Sequence, residues 1–364
     1  MDDEDRLIRD IKKKLMRIIP FDSGNYPYVC ARLRAKKSLL YPPEMYQKFL
    51  QMEVPQISRT LGEGQYKDEF VSLGTKYAGV DLIEMATSEN LARTYTKILD
   101  FSEGHLREII SKYIDRWDVF NIETIIRGKF YGASDQDIWE DIVAAGSFSE
   151  DHLRWLVEKE TVDEVINALD GTMYHEPLVR TREEHPGMKS GAHYEDALMH
   201  CYYTNLLATT EPTQTPNKLF LRFIRMEIDV INLRTLLRLN LGNAEIGENA
   251  FVEGGLDMSV EDLEKMAGMD WETLLVTLGD YAFFENISDD LRKAGDTGLN
   301  EALRSLEKHV LKEAAKHANI HPLSILPVLD FMIAKKNEVD NIRIIARGKE
   351  SGLETEVIRN LLVM

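Results

Sequence analysis

Apolar residues recur at helical spacing along most of the chain. In residues 5–19 Leu and Ile occupy every third or fourth position until Pro20, which predicts an amphipathic leader helix. Two further apolar stripes have the width of a helix face. They are Ile122, Ile125 and Ile126, and then Leu233, Leu236 and Leu237. No convincing alternation typical of β-strands interrupts this pattern, so the sequence predicts an all-α fold.

One phrase occurs three times. In each copy an acidic residue stands three positions before an Asn, and an Arg stands six positions after it. The copies are Asp118, Asn121 and Arg127; Asp229, Asn232 and Arg238; and Glu338, Asn341 and Arg347. The Asn positions are 111 (232 − 121) and 109 (341 − 232) residues apart. Self-similarity at so regular a period indicates about three related domains.

A fainter copy lies at residues 28–34, where Arg34 takes the Arg position and Tyr28 replaces the Asn. Each copy is followed by further helices in one order. The third helix of each unit is predicted to begin at a turn or cap residue, and these residues are Pro42, Ser149 and Ser259. It leads to a short apolar stretch that ends at Leu61, Leu169 and Leu278 in the three units.

These boundaries divide the chain into three predicted helical domains. Residues 1–116 form the first domain with the leader helix, residues 117–227 the second, and residues 228–364 the third with a C-terminal half-repeat. Because the sequence stops straight after the second helix of the last copy, we expect that half-repeat to pack beside the first or third domain. It would then close the ring of domains and bury Ile342, Ile345, Ile358 and Leu362.

The chain is acidic. Lys and Arg number 44 against 62 Asp and Glu, a formal charge of −18, which argues against a general nucleic-acid binder because phosphate contacts require a basic face. The first forty residues are the exception, with Lys12, Lys13, Lys14, Arg17, Arg32, Arg34, Lys36 and Lys37. This end suits an acidic partner or an anionic lipid surface, although solvated side chains on an amphipathic helix explain the same pattern.

Two cysteines, Cys30 and Cys201, are too few for a disulfide framework and favour a reducing compartment. The acidic start of the chain does not resemble the basic start of a secretory signal. No apolar run approaches the roughly 20 residues that span a bilayer. We therefore expect a cytoplasmic protein that is able to sit on a membrane complex.

Nothing in the sequence assembles a catalytic, cofactor-binding or metal site, so no enzyme is predicted. His185, His193 and His200 are eight and seven residues apart, wider than the four-residue spacing by which two histidines share a zinc, and surface or interface histidines are the simpler interpretation. The repeated Arg could anchor a phosphate or carboxylate. Its recurrence in every unit favours a structural role instead, such as pairing a carboxylate between neighbouring helices.

Taken together, three segments resemble a known family. Residues 26–34, 118–132 and above all 338–363 are similar to the C subunit of the archaeal-type (A/V-type) ATP synthase, whose eukaryotic relative is the d subunit of the vacuolar proton pump. The likeness covers nearly the whole chain from about residue 24. The first copy departs from the pattern at Tyr28.

The resemblance implies an all-α funnel of three similar domains with pseudo-threefold symmetry. It implies a non-catalytic rotor subunit of the central stalk, without cofactors, which lies peripherally on the cytoplasmic side of the cell membrane. Central-shaft subunits would enter the socket of the funnel, and its other face would rest on the membrane rotor ring. The alternatives are a helical-repeat adaptor that binds peptides or proteins in the groove of an open solenoid, and an enzyme with a deep pocket of titratable groups.

Overall fold

The computed structural model describes residues 24–187, 190–210, 215–242, 250–281, 283–289, 291–292 and 299–364. The leader helix predicted for residues 5–19 lies outside these ranges. Helices make up most of the described chain, and none of the described residues lies in a β-strand. The all-α prediction is therefore confirmed.

The described residues contain eighteen α-helices. In chain order they are α1 (Tyr26–Lys37), α2 (Pro43–Gln51), α3 (Val54–Glu63), α4 (Lys67–Leu73), α5 (Gly79–Asp100), α6 (Gly104–Ile114), α7 (Arg116–Tyr131), α8 (Asp135–Asp141), α9 (Glu150–Val157), α10 (Val162–Ala168), α11 (His175–Glu184), α12 (Ala192–Ala208), α13 (Thr215–Gly242), α14 (Val260–Ala267), α15 (Trp271–Leu278), α16 (Leu299–Ile320), α17 (Leu326–Glu350) and α18 (Thr355–Leu361). A single 3₁₀ turn, Phe284–Asn286, precedes α16.

The repeated phrase lies on long helices. The helix α13 has 28 residues and α17 has 25, so α13 is about 42 Å long at the usual rise of about 1.5 Å per residue. The pair α6 and α7 is nearly continuous, because the N–H of Val119 still donates to the carbonyl of Asp115 at 3.2 Å. Each long element carries the closing helix of one predicted domain and the phrase of the next. The predicted boundaries at 116/117 and 227/228 fall inside helices, and the division into domains stays a prediction.

Local capping explains where the third helix of each unit begins. The Ser149 hydroxyl is the N-cap of α9 and accepts from the N–H of His152, and Ser259 caps α14 by accepting from the N–H of Asp262, each at 3.2 Å. Pro42 is the N-cap residue of α2 and has an extended backbone. The three predicted starts are therefore confirmed.

Within the described residues, the buried apolar side chains form three cores. The first is a hub made by α1, the helices α6–α12, and one half each of α5, α13, α16 and α17. The second is built from the other half of α13, from α14 and α15, and from the start of α16. The third joins α2, α3 and the start of α5 to the end of α17 and to α18. Long helices thus pass from the hub into each neighbouring core and link the three rigidly.

The C-terminal copy packs against the first predicted domain. Ile342, Ile345, Ile358 and Leu362 are almost completely buried in the third core. Their partners there come from residues 46–83 and include Phe49, Ile57 and Leu61. The expected burial of the half-repeat is therefore confirmed, and its neighbours in the third core come from the first predicted domain.

Candidate functional site

Each repeated Asn makes the same two hydrogen bonds. The side-chain amide donates to the carbonyl of a Val 20 or 22 residues later in the chain, and the side-chain oxygen accepts from the N–H of that same Val. The pairs are Asn121 with Val143, Asn232 with Val252, and Asn341 with Val363. All six bonds measure 2.7–3.0 Å, and the three Asn side chains are 0% exposed. Each Asn therefore binds both backbone groups of a buried Val.

The acidic residue of the phrase also binds backbone. Asp118 accepts from the N–H groups of Ser147 and Phe148 at 2.9 and 3.0 Å. Asp229 accepts from the three N–H groups of residues 256–258 at 2.8–3.3 Å. In these two copies the carboxylate and the Asn bind the backbone of one later segment, residues 143–148 or 252–258, and hold it against the helix that carries the phrase. We call this set of bonds the clamp.

Burial sets the protonation of these two carboxyl groups. It raises the pKa of Asp118 to about 7 and that of Asp229 to about 6, although the backbone N–H bonds act in the opposite direction. Desolvation disfavours the charged form of a carboxyl group, which is why burial acts upward. Both groups therefore titrate well above the usual range of Asp.

Two glycines complete the clamps. A Cβ on Gly146 would lie 2.1 Å from Oδ1 of Asp118, and a Cβ on Gly255 would lie 2.1 Å from Oδ1 of Asp229. No side chain fits at such a distance, so both positions require glycine. The sequence analysis missed these residues. The available signal was a glycine 28 (146 − 118) and 26 (255 − 229) residues after the acid.

The C-terminal copy closes its clamp differently. Glu338 accepts from the N–H of Tyr41 at 2.6 Å, from the Tyr66 hydroxyl at 2.7 Å and from Nζ of Lys335 at 2.8 Å. Burial lowers the pKa of Lys335, whereas its contact with Glu338 raises it. The carboxylate therefore has a buried cation and two donors from the first domain. A segment near residue 41 takes the place that residues 147 and 148 take around Asp118.

The repeated Arg residues have unequal partners. Arg347 binds Glu84 on α5 through two bonds of 2.6 and 2.8 Å, and Arg127 binds Glu195 on α12 at 2.7 Å. Arg238 has no carboxylate within salt-bridge distance among the described residues, and burial together with the neighbouring Arg234 lowers its pKa. Arg127 and Arg347 thus join neighbouring helices, whereas Arg238, in the middle copy, does not.

The faint first copy forms no clamp. Tyr28 is 52% exposed, and its hydroxyl accepts from the Arg32 guanidinium at 2.6 Å. Arg34 is exposed on α1 and has no carboxylate within salt-bridge distance in the described chain. The first domain instead obtains its clamp from the C-terminal copy.

A cavity of about 620 Å³ lies between α11 and α12. The predicted His185, His193 and His200 all contribute to its lining, and the rings of His185 and His193 stack at 4.1 Å. Burial, together with the charge of Glu195, raises the pKa of Asp196 in the same wall to about 6. In the described ranges no three His, Cys, Asp or Glu side chains are placed to share a metal ion. No helix in those ranges is long and apolar enough to cross a bilayer.

Comparison with known proteins confirms the family resemblance. A family model described as "ATP synthase (C/AC39) subunit" matches residues 29–361. The chain is 40% identical to the C subunit of the A-type ATP synthase of Methanococcoides burtonii, over 99% of this chain and 100% of that protein. The corresponding C subunits of Archaeoglobus fulgidus and Haloferax volcanii are 36% and 33% identical, over 93% and 94% of this chain and 96% and 98% of their own lengths. By its whole length, therefore, this chain belongs to the ATP synthase (C/AC39) subunit family.

Proposed function

We propose that this chain, a non-catalytic subunit of an A/V-type ATP synthase, is the socket of the central stalk. Central-shaft subunits enter it on one side, and the membrane rotor ring holds it on the other, at the cytoplasmic face of the membrane. The main support is the family match, which spans residues 29–361. The three predicted domains, 1–116, 117–227 and 228–364, would surround the shaft as a funnel with pseudo-threefold symmetry.

A part that transmits rotation must resist shear between its own domains. Here α13 and α17 run without interruption from the hub into the second and third cores. Close-packed protein interiors are stiff and pass strain from one element to the next. The same helices carry two of the three buried clamps, each of which fixes a segment at several hydrogen bonds. This construction supports a mechanical role.

Contacts between the two ends of the described chain also favour a socket over an open adaptor. Nζ of Lys37 lies 2.6 Å from a carboxylate oxygen of Asp330. The N–H of Tyr41 and the side chain of Glu338 are bonded across 297 positions of sequence. An open solenoid keeps its first and last units apart, because each repeat contacts only its neighbours. The adaptor alternative predicts no such contacts.

Capture of partners tests the proposal. A tagged full-length chain would be expressed with the shaft subunits and the membrane ring subunit and then purified in detergent. We expect shaft and ring to be captured together, because a socket binds both. A variant that lacks residues 338–364 should lose both partners, since the third core is then incomplete. Capture of neither partner by the full chain would contradict the proposal, and capture of unrelated peptide-bearing proteins alone would favour the adaptor.

A further inference from the structure

A row of cations without carboxylate partners lies between α1 and the end of α5. Arg32 and Lys97 are exposed, and Lys36 is half-buried between them. None of the three lies within salt-bridge distance of a carboxylate in the described part of the chain. We call these three residues, with Tyr28 and Phe101 at one end, the basic seam.

Other cations crowd Lys36. Its pKa is lowered first by burial and then by four cations, which are Lys97, Arg32, Lys335 and Arg93. Lys335 and Arg93 are already paired with Glu338 and Glu69, so the cations without carboxylate partners are those of the seam itself. Like charges brought this close repel one another, and in a chain with a formal charge of −18 such a cluster is unusual. The nearby acid Asp330 is occupied, because Lys37 binds it at 2.6 Å.

Arg32 is held in place before any partner arrives. Its guanidinium carbon lies 4.6 Å from the centre of the Phe101 ring and 5.9 Å from that of Tyr28. One Nη donates to the Tyr28 hydroxyl at 2.6 Å, which leaves its other N–H groups available. A planar guanidinium fixed in this way suits a carboxylate, which it can bind through two parallel bonds, and less entropy is lost on binding.

We propose that the basic seam is a docking surface for a carboxylate-rich segment of another protein subunit. This inference rests on the proposed function in one respect, which is that the partner is taken to be another subunit of the ATP synthase. Charge complementarity between an acidic segment and the seam would fix the orientation of the partner and speed its association. A protein segment fits better than a lipid surface because Lys36 is half-buried, and an extended chain reaches such a side chain more readily than a flat layer of headgroups does.

Charge reversal tests the docking surface. Arg32→Glu combined with Lys97→Glu reverses the two exposed cations of the seam. The matched control is Lys48→Glu with Lys67→Glu, which changes the net charge equally at two exposed lysines of α2 and α4. The affinity of each full-length chain for the purified shaft and for the ring would be measured at graded salt concentration. For one of these partners we expect the seam variant to bind about 10-fold more weakly and with a flatter salt dependence, and the control to stay within about 2-fold of wild type.

Lys36→Met separates binding from folding. Removing a crowded, desolvated cation should leave the melting temperature unchanged or raise it, while affinity falls. A purely structural lysine would instead lower the melting temperature and leave affinity intact. Equal affinity of wild type and all seam variants for both partners would overturn the docking surface but not the socket. Failure of wild type to bind shaft or ring would contradict both.

Two further measurements test whether the seam binds a membrane surface or a second copy of this chain instead. Wild type would be mixed with vesicles of neutral phosphatidylcholine, with and without anionic phosphatidylglycerol, and sedimented. We expect little binding to either. Binding to the anionic vesicles that disappears in the Arg32→Glu, Lys97→Glu variant would assign the seam to a membrane surface and overturn the proposal. A dimer in analytical ultracentrifugation that the same variant dissociates would assign it to a second copy, with the same consequence.

Discussion

The repeats around Asn121 and Asn341 make the same asparagine bonds but find the donors for their carboxylates in different places. Asp118 accepts from backbone N–H groups 29 and 30 residues later in the chain. Glu338 accepts from the N–H of Tyr41, 297 residues earlier. The two clamps thus have the same chemistry and a different connectivity. A unit of this protein is defined by what its helices contact in space rather than by a continuous stretch of sequence.

The difference extends to electrostatics. Asp118 has only neutral donors, so burial raises its pKa to about 7. Glu338 has Lys335 as a buried cation at 2.8 Å, and the Tyr66 hydroxyl bonds both of them. A buried charge is tolerated when it is paired and hydrogen-bonded. The clamp that joins distant parts of the chain is therefore the one built around an ion pair.

Removing residues 338–364 should have the largest effect. It deletes Ile342, Ile345, Ile358 and Leu362 from the third core, and each large aliphatic side chain contributes about 1.5–3 kcal/mol when fully buried. We expect the free energy of unfolding to fall by several kcal/mol in urea titrations. Ile358→Ala is the milder version, at about 2–5 kcal/mol. Its exposed neighbour offers the control Val357→Ala, expected within about 0.5 kcal/mol. An unchanged melting temperature after truncation would mean that the C-terminal copy does not complete the first domain.

Replacement of the repeated Asn tests whether the clamps are equivalent. Asn121→Ala and Asn341→Ala each leave one buried N–H unpaired, at about 1–3 kcal/mol. The two carbonyls keep other donors, which are the N–H of Ala145 for Val143 and the side-chain amide of Asn337 for Val363. We expect both variants to lose about 1–3 kcal/mol of unfolding free energy, with similar values despite the different connectivity. Asn167→Ala, at an exposed position of α10, is the control. A loss of unfolding free energy in only one of the two variants would show that the clamps are not equivalent.

The pH dependence distinguishes the clamps with neutral donors. The pKa of Asp118 is about 7 in the folded protein, against about 3.9 for an unperturbed Asp. Between these values the folded protein holds a proton that the unfolded chain has released, so its stability falls as pH rises. Asp118→Asn removes this dependence. The stability advantage of wild type over that variant should therefore shrink from pH 4.5 to about 7.

For Asp229→Asn, the stability difference from wild type should stop shrinking near pH 6, because the pKa of Asp229 is about 6. Urea unfolding of wild type and both variants across this range measures the two windows. Parallel profiles for wild type and Asp118→Asn would contradict the raised pKa.

The repeated Arg should give the smallest effects, and these should be graded. Arg347→Ala leaves the buried Glu84 without its two-bond partner, so we expect a loss of about 1–3 kcal/mol. Arg127→Ala breaks a half-exposed pair and should cost about 0.2–1 kcal/mol. Arg238→Ala should change stability little, because Arg238 has no carboxylate partner in the described chain. Equal losses in the three variants, measured by thermal unfolding, would contradict this order.

Local signals explain what the sequence predicted correctly. The helical stripes fixed the all-α class, and Ser149 and Ser259 marked helix starts because a cap acts on the residues directly after it. The spacing of the phrase marked the three Asn residues, but nothing near them indicated what they bind. Each binds the backbone N–H and carbonyl of a Val 20 or 22 residues later. A side-chain amide suits many partners, and only the tertiary structure selects one.

Long-range pairing escaped the sequence analysis. Nothing near Glu338 indicates Tyr41 as its donor, because the contact depends on how the first and last parts of the chain meet. Gly146 and Gly255 were missed for a related reason. Each glycine is required by an Asp carboxylate that approaches from a distant helix, not by the conformation of its own turn.

The most direct test of the central claim is rescue of coupling. ATP synthase complexes depleted of this subunit would be reconstituted in vesicles, and ATP hydrolysis and ATP-driven ion transport would be measured side by side. We predict that the depleted complex hydrolyses ATP without transporting ions and that the purified chain restores transport. Full transport without the subunit, or no recovery when the folded chain is bound again, would contradict its role as the link between shaft and ring.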